Sequence, residues 1–364
     1  MAPLLAIPFF VLAGVIINNG GIALLLINAV KVMVGRMPGS LAQTNVAANA
    51  LFGAVSGSAV AAAAAIRSTM GSLEAKDKYD KNFAAAVNIA SAPSGMLIPP
   101  SNLMIVYSLV SSTSIAAIFV AGYVPGLMWA GACMVIVHLY ARKRPELKLT
   151  EKIGFGQGVL VTFKATPALM LIVVVIGGIL AGIFTPTEGS CIAVVYSLGL
   201  SFIYRSIKVK QLLGMLLDAT RATAVVMFLI GVSSIMGFVL SIAEIPAEVS
   251  NAMFSISDNP VILLLVIAVV LLIFTPIFLP IVTSFGINPM HFGIIMVFTL
   301  CIGVITPPVG PVLFIGAKVA GVRIEDVFRR LLPFFGALVV ILLMVIFTPS
   351  LSLWLPTQLG LITP

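Results

Sequence analysis

The 364-residue chain is 60% hydrophobic and only 9% charged, with a mean hydropathy of +1.20 and a net charge of +8. Soluble domains carry roughly 25% charged residues, so the composition excludes a soluble globular fold and predicts an all-α polytopic membrane protein. The basic balance does not indicate nucleic acid, because Lys and Arg lie in short loops between apolar runs, where membrane insertion accounts for them.

Leu4 to Ile17 is apolar and ends at Asn18-Asn19-Gly20-Gly21; the amphipathic run Ile22 to Val34 follows, with Lys31 and Arg36 at its end. Residues 42–70 are long enough to enter a bilayer, yet Phe52 to Ala65 is mostly Gly, Ser and Ala. Small side chains let backbones approach closely, and non-helical turns persist at membrane depth where protein surrounds them. This stretch is therefore read as a re-entrant helical hairpin with its tip at Ser56-Gly57-Ser58. Residues 83–110 form a span broken at Ser91 to Gly95 and again at Pro99-Pro100, because proline removes a backbone donor and disfavours helix before it. Ile115 to Tyr140 spans next, followed by the basic loop Arg142 to Lys152. Two spans flank the turn Thr185-Pro186-Thr187-Glu188 and lead back to a second basic loop, Arg205 to Lys210.

The chain then repeats itself with the charges exchanged. Gly95, Pro99, Pro100 and Pro125 recur 208 positions later as Gly303, Pro307, Pro308 and Pro333. Lys76, Lys78 and Lys81 precede the first broken span, whereas Ser284 to His291 holds no Lys or Arg. Beyond the proline pairs the bias reverses: Ser111 to Ala121 is uncharged, and its counterpart carries Lys318, Arg323, Arg329 and Arg330. Lys31 and Arg36 are answered by Glu244, Glu248 and Asp258. Cytoplasmic loops accumulate Lys and Arg, so the two halves are read as an inverted-topology repeat, the plan of many secondary transporters. The expected organisation is a first inverted repeat over residues 1–141, connecting scaffold spans over 142–221 and a second repeat over 222–364. The second repeat would hold a hairpin at about residues 260–285 and a broken helix at 291–317. The offset falls from 217 (Gly14 and Gly20 to Gly231 and Gly237) to 208, leaving the second copy nine residues short near Leu271 to Pro276.

In such repeats, sites form at the midplane, where broken helices free backbone carbonyls and helix ends. A bare carbonyl in hydrocarbon costs several kcal/mol, and a dehydrated cation is a suitable partner. The candidate set is Ser56 and Ser58 with the carbonyls of Gly95, Ile98 and Pro100; its symmetric counterpart is Gly303, Thr306 and Pro308. The alternative is that these residues only pack and kink. An anionic substrate calls for hydroxyls, helix N-termini or a cation, which singles out Ser94, Ser101 and Asn102. Arg67 is the nearest cation, although its place past the hairpin tip fits a return to the headgroups. Catalysis finds no support: His138 and His291 have no metal-binding spacing and read as interfacial, and no nucleophile elbow or Walker A loop occurs.

Several motifs together carry a family resemblance: Leu5 to Gly14, Ser56 to Ala61, Ile98 to Ser101, Phe184 to Gly189, His291-Phe292-Gly293 and Gly303 to Gly310. In this order, nearly end to end, they resemble the large membrane subunit of tripartite ATP-independent periplasmic (TRAP) transporters. The resemblance implies a sodium-coupled importer of organic acids in the bacterial inner membrane. Two re-entrant hairpins and two broken helices would form a transport domain sliding against a scaffold, an elevator mechanism. It implies three partners: a small membrane subunit, a periplasmic substrate-binding protein and the surrounding lipid. Its sodium site falls on Ser56, Ser58, Gly95, Ile98 and Pro100, with Gly303, Thr306 and Pro308 in the symmetric site; sodium is the only metal expected. Sialic acid is the preferred cargo, with C4-dicarboxylate or keto acid as the alternative, and a stand-alone ion-coupled elevator transporter as the alternative architecture. The sequence departs from the family pattern where Leu272-Ile273-Phe274 runs into Thr275-Pro276 without the usual second-hairpin tip, and the resemblance leads one to expect a further span before the position of Met1.

Overall fold

The computed structural model describes residues 2–35, 37–77, 79–144, 147, 155–243, 248, 287–308 and 310–362. The expected second hairpin and the nine-residue deficit lie outside the described residues. Everything described is helix and connecting turn, with no strand among the described residues.

The helices are α1 (Ala6–Asn19), α2 (Ile22–Val34), α3 (Ser40–Ser56), α4 (Ala59–Lys76), α5 (Lys81–Ser91), α6 (Ser94–Leu97), α7 (Asn102–Ser111) and α8 (Ile115–Arg142). They continue as α9 (Phe155–Leu180), α10 (Pro186–Ile203), α11 (Val209–Ile242), α12 (Pro289–Gly303), α13 (Pro311–Ala320), α14 (Ile324–Phe347) and α15 (Ser350–Gln358). Helices α8, α9, α10, α11 and α14 are each long and apolar enough to cross a bilayer. Two helix pairs pass the same test only together and across a bend, as a broken span or a re-entrant loop would: α1 with α2, by 76°, and α5–α6 with α7, by 42°.

One group packs α1 along α10 and α11, and α2 along α9. The other packs the α3–α4 hairpin against α5, α6 and α13, with α8, α12, α14 and α15 behind it. Trp129 anchors this second group: its indole N–H donates to the Ala90 carbonyl at 2.9 Å, and its ring lies 4.8 Å from that of Phe298. A buried Trp needs such a partner for its N–H.

The broken span of α5–α7 and the pair of shorter apolar helices α12 and α13, treated below as the second broken span, match in detail. Asp80 caps α5 by accepting the Asn82 N–H at 3.0 Å, and Asn288, 208 residues on, caps α12 by accepting the Met290 N–H at 2.9 Å. The Pro99–Pro100 and Pro307–Pro308 bonds are both cis. Both second halves end on a left-handed residue, Ser112 (φ 55°) and Gly321 (φ 62°). Cys301 Sγ lies 3.7 Å from the Pro93 carbonyl oxygen. These two residues are each other's counterparts at the 208-residue offset, and a residue meets its own counterpart only at the axis relating two copies. Lys81, opening α5, reaches the Gly321 carbonyl at the end of α13 (3.2 Å), while Tyr107 near the end of α7 donates to the Pro289 carbonyl opening α12. Each first half therefore starts where the other's second half ends, and the broken spans run antiparallel to one another.

This sorts the charges. The starts of α5 and α14 and the ends of α8 and α13 share one end of the bundle, joined by the Asp80–Arg330 ion pair at 2.7 Å and the Phe83–Tyr140 stack at 3.5 Å. Lys76, Lys81, Arg142, Lys143, Lys318, Arg323 and Arg330 gather there. The opposite end, at the α7–α8 corner and the start of α12, carries no Lys or Arg among the described residues.

The hairpin meets α6 backbone to backbone: a Cβ on Gly95 would collide with Gly53 Cα, and one on Gly53 would lie 2.7 Å from Gly95 Cα. Overpacking of this kind costs about 1–3 kcal/mol. Gly95→Ala is expected to lower the apparent melting temperature in detergent, whereas Gly131→Ala, with open space around its Cβ, leaves it unchanged. Equal melting temperatures would show that α3 and α6 are not in backbone contact.

Candidate functional site

The hairpin tip lies along the break of the first broken span in register. Gly53 abuts Gly95, Val55 and Pro100 line one narrow space, and Gly57 sits under the Asn102 side chain. The tip exists because Gly57 takes φ +63°, closing α3 with an N–H bond to the Gly53 carbonyl at 2.8 Å. Ser58 then starts α4 as its N-cap, accepting the Ala61 N–H at 3.3 Å. Gly14 of α1 packs on the backbone of Ser56, covering the tip from the other side.

The break frees oxygen atoms. In a continuous helix the N–H groups at positions 99 and 100 would serve the carbonyls of Gly95 and Met96, and proline supplies neither. Among the described residues, the carbonyls of Ile98, Pro99 and Pro100 accept no hydrogen bond. The hydroxyl of Ser101, fully buried, and Asn102 Oδ1 have no partner. Ser56 Oγ makes only contacts of 3.4 Å to the backbone of Ser58. The structure thus brings Ser56, Ser58, Gly95, Ile98 and Pro100 together with Ser101 and Asn102. The collection is rich in lone pairs and, among the described residues, receives no cationic side chain, the chemistry of a site for a hard cation or a hydrogen-bonding cargo.

The second set is only partly free. Gly303 and Thr306 carbonyls accept N–H bonds from Thr306 (3.1 Å) and Gly310 (2.9 Å), and Thr306 Oγ1 donates to Ile302 (2.7 Å). The Pro308 carbonyl accepts none among the described residues. The hairpin expected to complete this set is outside the described residues.

Two substrate candidates sit elsewhere. Ser94 Oγ donates to the Ser91 carbonyl at 2.6 Å, turned into α5. Arg67 neither reaches the tip nor returns to headgroups as its position in the sequence suggested: it is 6% exposed and ion-paired with Glu74, itself 1% exposed. Glu74 lies two helical turns along α4 on the same face, so the sequence carries the pair as an i, i+7 spacing. His291, expected at an interface, is buried, with Nδ1 2.7 Å from Ser352 Oγ; helix α15 folds back over the start of α12 and covers it. The Thr185 to Glu188 motif is a capping box that opens α10: Thr185 N–H donates to Glu188 Oε2 at 2.7 Å, and Glu188 N–H to Thr185 Oγ1 at 3.3 Å. Beside it, a cleft of about 410 Å³ separates Ser108, Ser112 and Ser114 from Ile179, Phe184 and Pro186.

Residues 1–351 match the family model for the DctM component of tripartite ATP-independent periplasmic transporters. This chain belongs to the DctM family. It is 49% identical to the uncharacterized protein YgiK of Salmonella typhimurium, over 97% of this chain and 84% of that one. It is 37% identical to the C4-dicarboxylate TRAP transporter large permease protein DctM of Pseudomonas aeruginosa, over 98% and 87% respectively. To the sialic acid TRAP transporter large permease protein SiaM of Vibrio cholerae it is 34% identical, over 97% and 86%. The DctM-family chain is accordingly a multi-pass inner-membrane permease and not an enzyme. The tripartite family description implies a system with a small membrane subunit and a periplasmic binding protein.

Removing one member of a buried ion pair strands the other charge at a cost of about 3–5 kcal/mol. In this permease, Arg67→Ala is expected to reduce the yield of folded protein severely, and Arg67→Ala with Glu74→Gln to recover much of it. Size-exclusion yield and melting temperature of the single and double variants check this; equal losses would show that the pair is not coupled.

Proposed function

We propose that this DctM-family permease is a sodium-coupled importer of an organic acid anion, supplied by a periplasmic binding protein and moved by an elevator mechanism. The reading is carried by the cluster of unpartnered oxygens where the first hairpin tip meets the first broken span. Sodium binds oxygen ligands, and freed carbonyls at a helix break are the usual membrane-protein source of them. Ser56 and Ser58 with the carbonyls of Gly95, Ile98 and Pro100 would form one sodium site. Gly303, Thr306 and Pro308 would contribute to a second.

The antiparallel crossing of the two broken spans supports the inverted repeat, and the charge distribution supports its orientation. Cations concentrate on cytoplasmic loops, so the basic end faces the cytoplasm and the hairpin of α3 and α4 enters from that side. The group holding α3–α8 and α12–α14 would be the transport domain. The layer of α1, α2 and α9–α11 would be the scaffold, to which the small membrane subunit would attach.

Relatives named for their cargo include transporters of C4-dicarboxylate, sialic acid and 2,3-diketo-L-gulonate. All three are small organic acid anions, which supports that cargo class for this permease. Sialic acid has no advantage within it: the C4-dicarboxylate relative is 37% identical and the sialic acid relative 34%. Ser101 Oγ and Asn102 Oδ1, at the tip and without partners, would meet the cargo, the Ser101 hydroxyl donating to a carboxylate and the Asn102 oxygen accepting from a hydroxyl.

The test is uptake into proteoliposomes holding this permease, its small subunit and the cognate binding protein, with and without an inward sodium gradient. Uptake is expected only when sodium and the binding protein are both present. Sodium-independent uptake would overturn the coupling, and uptake without the binding protein would overturn the tripartite reading. In the same assay, Ser56→Ala with Ser58→Ala is expected to raise the half-saturating sodium concentration by about tenfold, the loss of about one weak ligand contact. An unchanged value removes these two residues from the site.

A further inference from the structure

Behind the tip, a chain of buried polar side chains joins the hairpin to the first broken span. Glu74 Oε1 accepts from Asn45 Nδ2 at 2.9 Å, and Asn45 Oδ1 accepts from Asn49 Nδ2 at 2.8 Å. The same Asn49 nitrogen lies 3.0 Å from Asn88 Oδ1, 3.4 Å from the Asn88 carbonyl and 2.9 Å from Ser91 Oγ. Asn88 Nδ2 in turn donates to the Ala63 carbonyl of α4 at 2.9 Å. Asn45, Asn49, Asn88 and Ser91 are all fully buried. Four oxygens thus converge on one amide nitrogen. Turning the Asn49 amide over would set its own oxygen against all four, so the network fixes which way it points.

The placement matters for the site. Asn49 is one helical turn before Gly53, and Gly53 one turn before Ser56 and Gly57; Ser91 stands one turn before Gly95. The bonds of Asn49 to Asn88 and Ser91 therefore clamp α3 to α5 next to the Gly53–Gly95 contact, which sets the distance from Ser56 to the carbonyls of the break. Asn88 clamps α4 to the same helix. Swinging the hairpin away from α5 would strip Asn88 of its bonds to Asn49 and to the Ala63 carbonyl in a buried interior, a penalty that falls on α5, while Asn49 would keep only Asn45 and Ser91 only carbonyls of its own helix.

We propose that Asn49 is a positioning residue whose buried amide network locks the hairpin of α3 and α4 to α5, so that hairpin and broken span travel as one body and the hairpin does not open as a gate. This rests on the sodium-coupled reading for its kinetic readout, but the locking itself is testable apart from it.

The experiment uses the complete transporter in proteoliposomes, with Cys133, Cys191 and Cys301 replaced and Asn49→Cys with Ser91→Cys introduced. Bridging the two thiols with mercury(II) is expected to leave uptake running, because a body that moves as one tolerates an internal cross-link. Before bridging, the pair is expected to show a half-saturating sodium concentration raised by about tenfold with little change in maximal rate, and bridging is expected to bring it back. Uptake that stops on bridging, and resumes on removal of mercury by excess thiol, would overturn the proposal. Should the pair not assemble, hydrogen exchange of the unaltered complex decides: residues 45–57 are expected to exchange equally slowly with and without sodium and cargo. Faster exchange there on cargo addition would mean that the hairpin opens. A cysteine-replaced parent that ignores sodium would sink the coupling reading instead, and leaves the bridging and exchange results to judge the lock.

Discussion

A bilayer interior gives a backbone carbonyl no water to bond, and this chain breaks two apolar helical segments with proline pairs. Pro99-Pro100 withholds the N–H groups owed to Gly95 and Met96, and Pro307-Pro308 those owed to Gly303 and Val304. The protein answers the two deficits differently. Val304 recovers a donor from Val312 at 3.1 Å and Gly303 one from Thr306, whereas the first break leaves Ile98, Pro99 and Pro100 without backbone partners among the described residues. The first break has the hairpin tip laid along it, and only a site screened by protein can keep bare oxygens at membrane depth.

That screening dictates the composition of the hairpin. A tip that packs on a break must bring backbone within reach of backbone, so Gly53, Gly57 and Gly95 stand where α3, the turn and α6 meet. Close approach removes the space that large side chains would fill, and the cohesion of the hairpin then falls to polar groups. Asn45, Asn49, Asn88 and the Arg67–Glu74 pair supply it. Small residues and buried amides are two sides of one arrangement: the first permits contact, and the second prevents slippage.

Much of this was legible in the sequence, and the reasons it stopped being legible are physical. Proline, glycine and loop charge report directly on backbone conformation and topology, so the hairpin tip at Ser56 to Ser58, the breaks and the 208-residue offset could be read from residue type alone. Pairing between side chains is different. Asn49 and Asn88 look like ordinary polar residues in helices, and only the packing of α3 on α5 gathers four oxygens around the two N–H groups of one amide. Arg67 was read as a headgroup residue because a lone cation in an apolar stretch usually is one; its partner seven residues on was the missed signal. His291 read as interfacial because nothing in its neighbourhood announces that α15, some 60 residues later, returns to bury it.

The ionic contacts at the basic end tie the first broken span to the end of the second and to the helix that follows it. Asp80 caps α5 and also pairs with Arg330 of α14, and Lys81 binds the closing carbonyl of α13. One short segment thereby fastens the start of the first broken span to the end of the second. These bonds are partly exposed, so each contributes little alone, but they act where the Cys301–Pro93 contact already joins the same two spans. Separation between the halves is opposed at the axis and at the basic end. The cleft of about 410 Å³ lies elsewhere, between the α7–α8 corner and the α9–α10 turn. That corner belongs to the fastened group and that turn to the outer layer, so this cleft lies on the seam between the two groups.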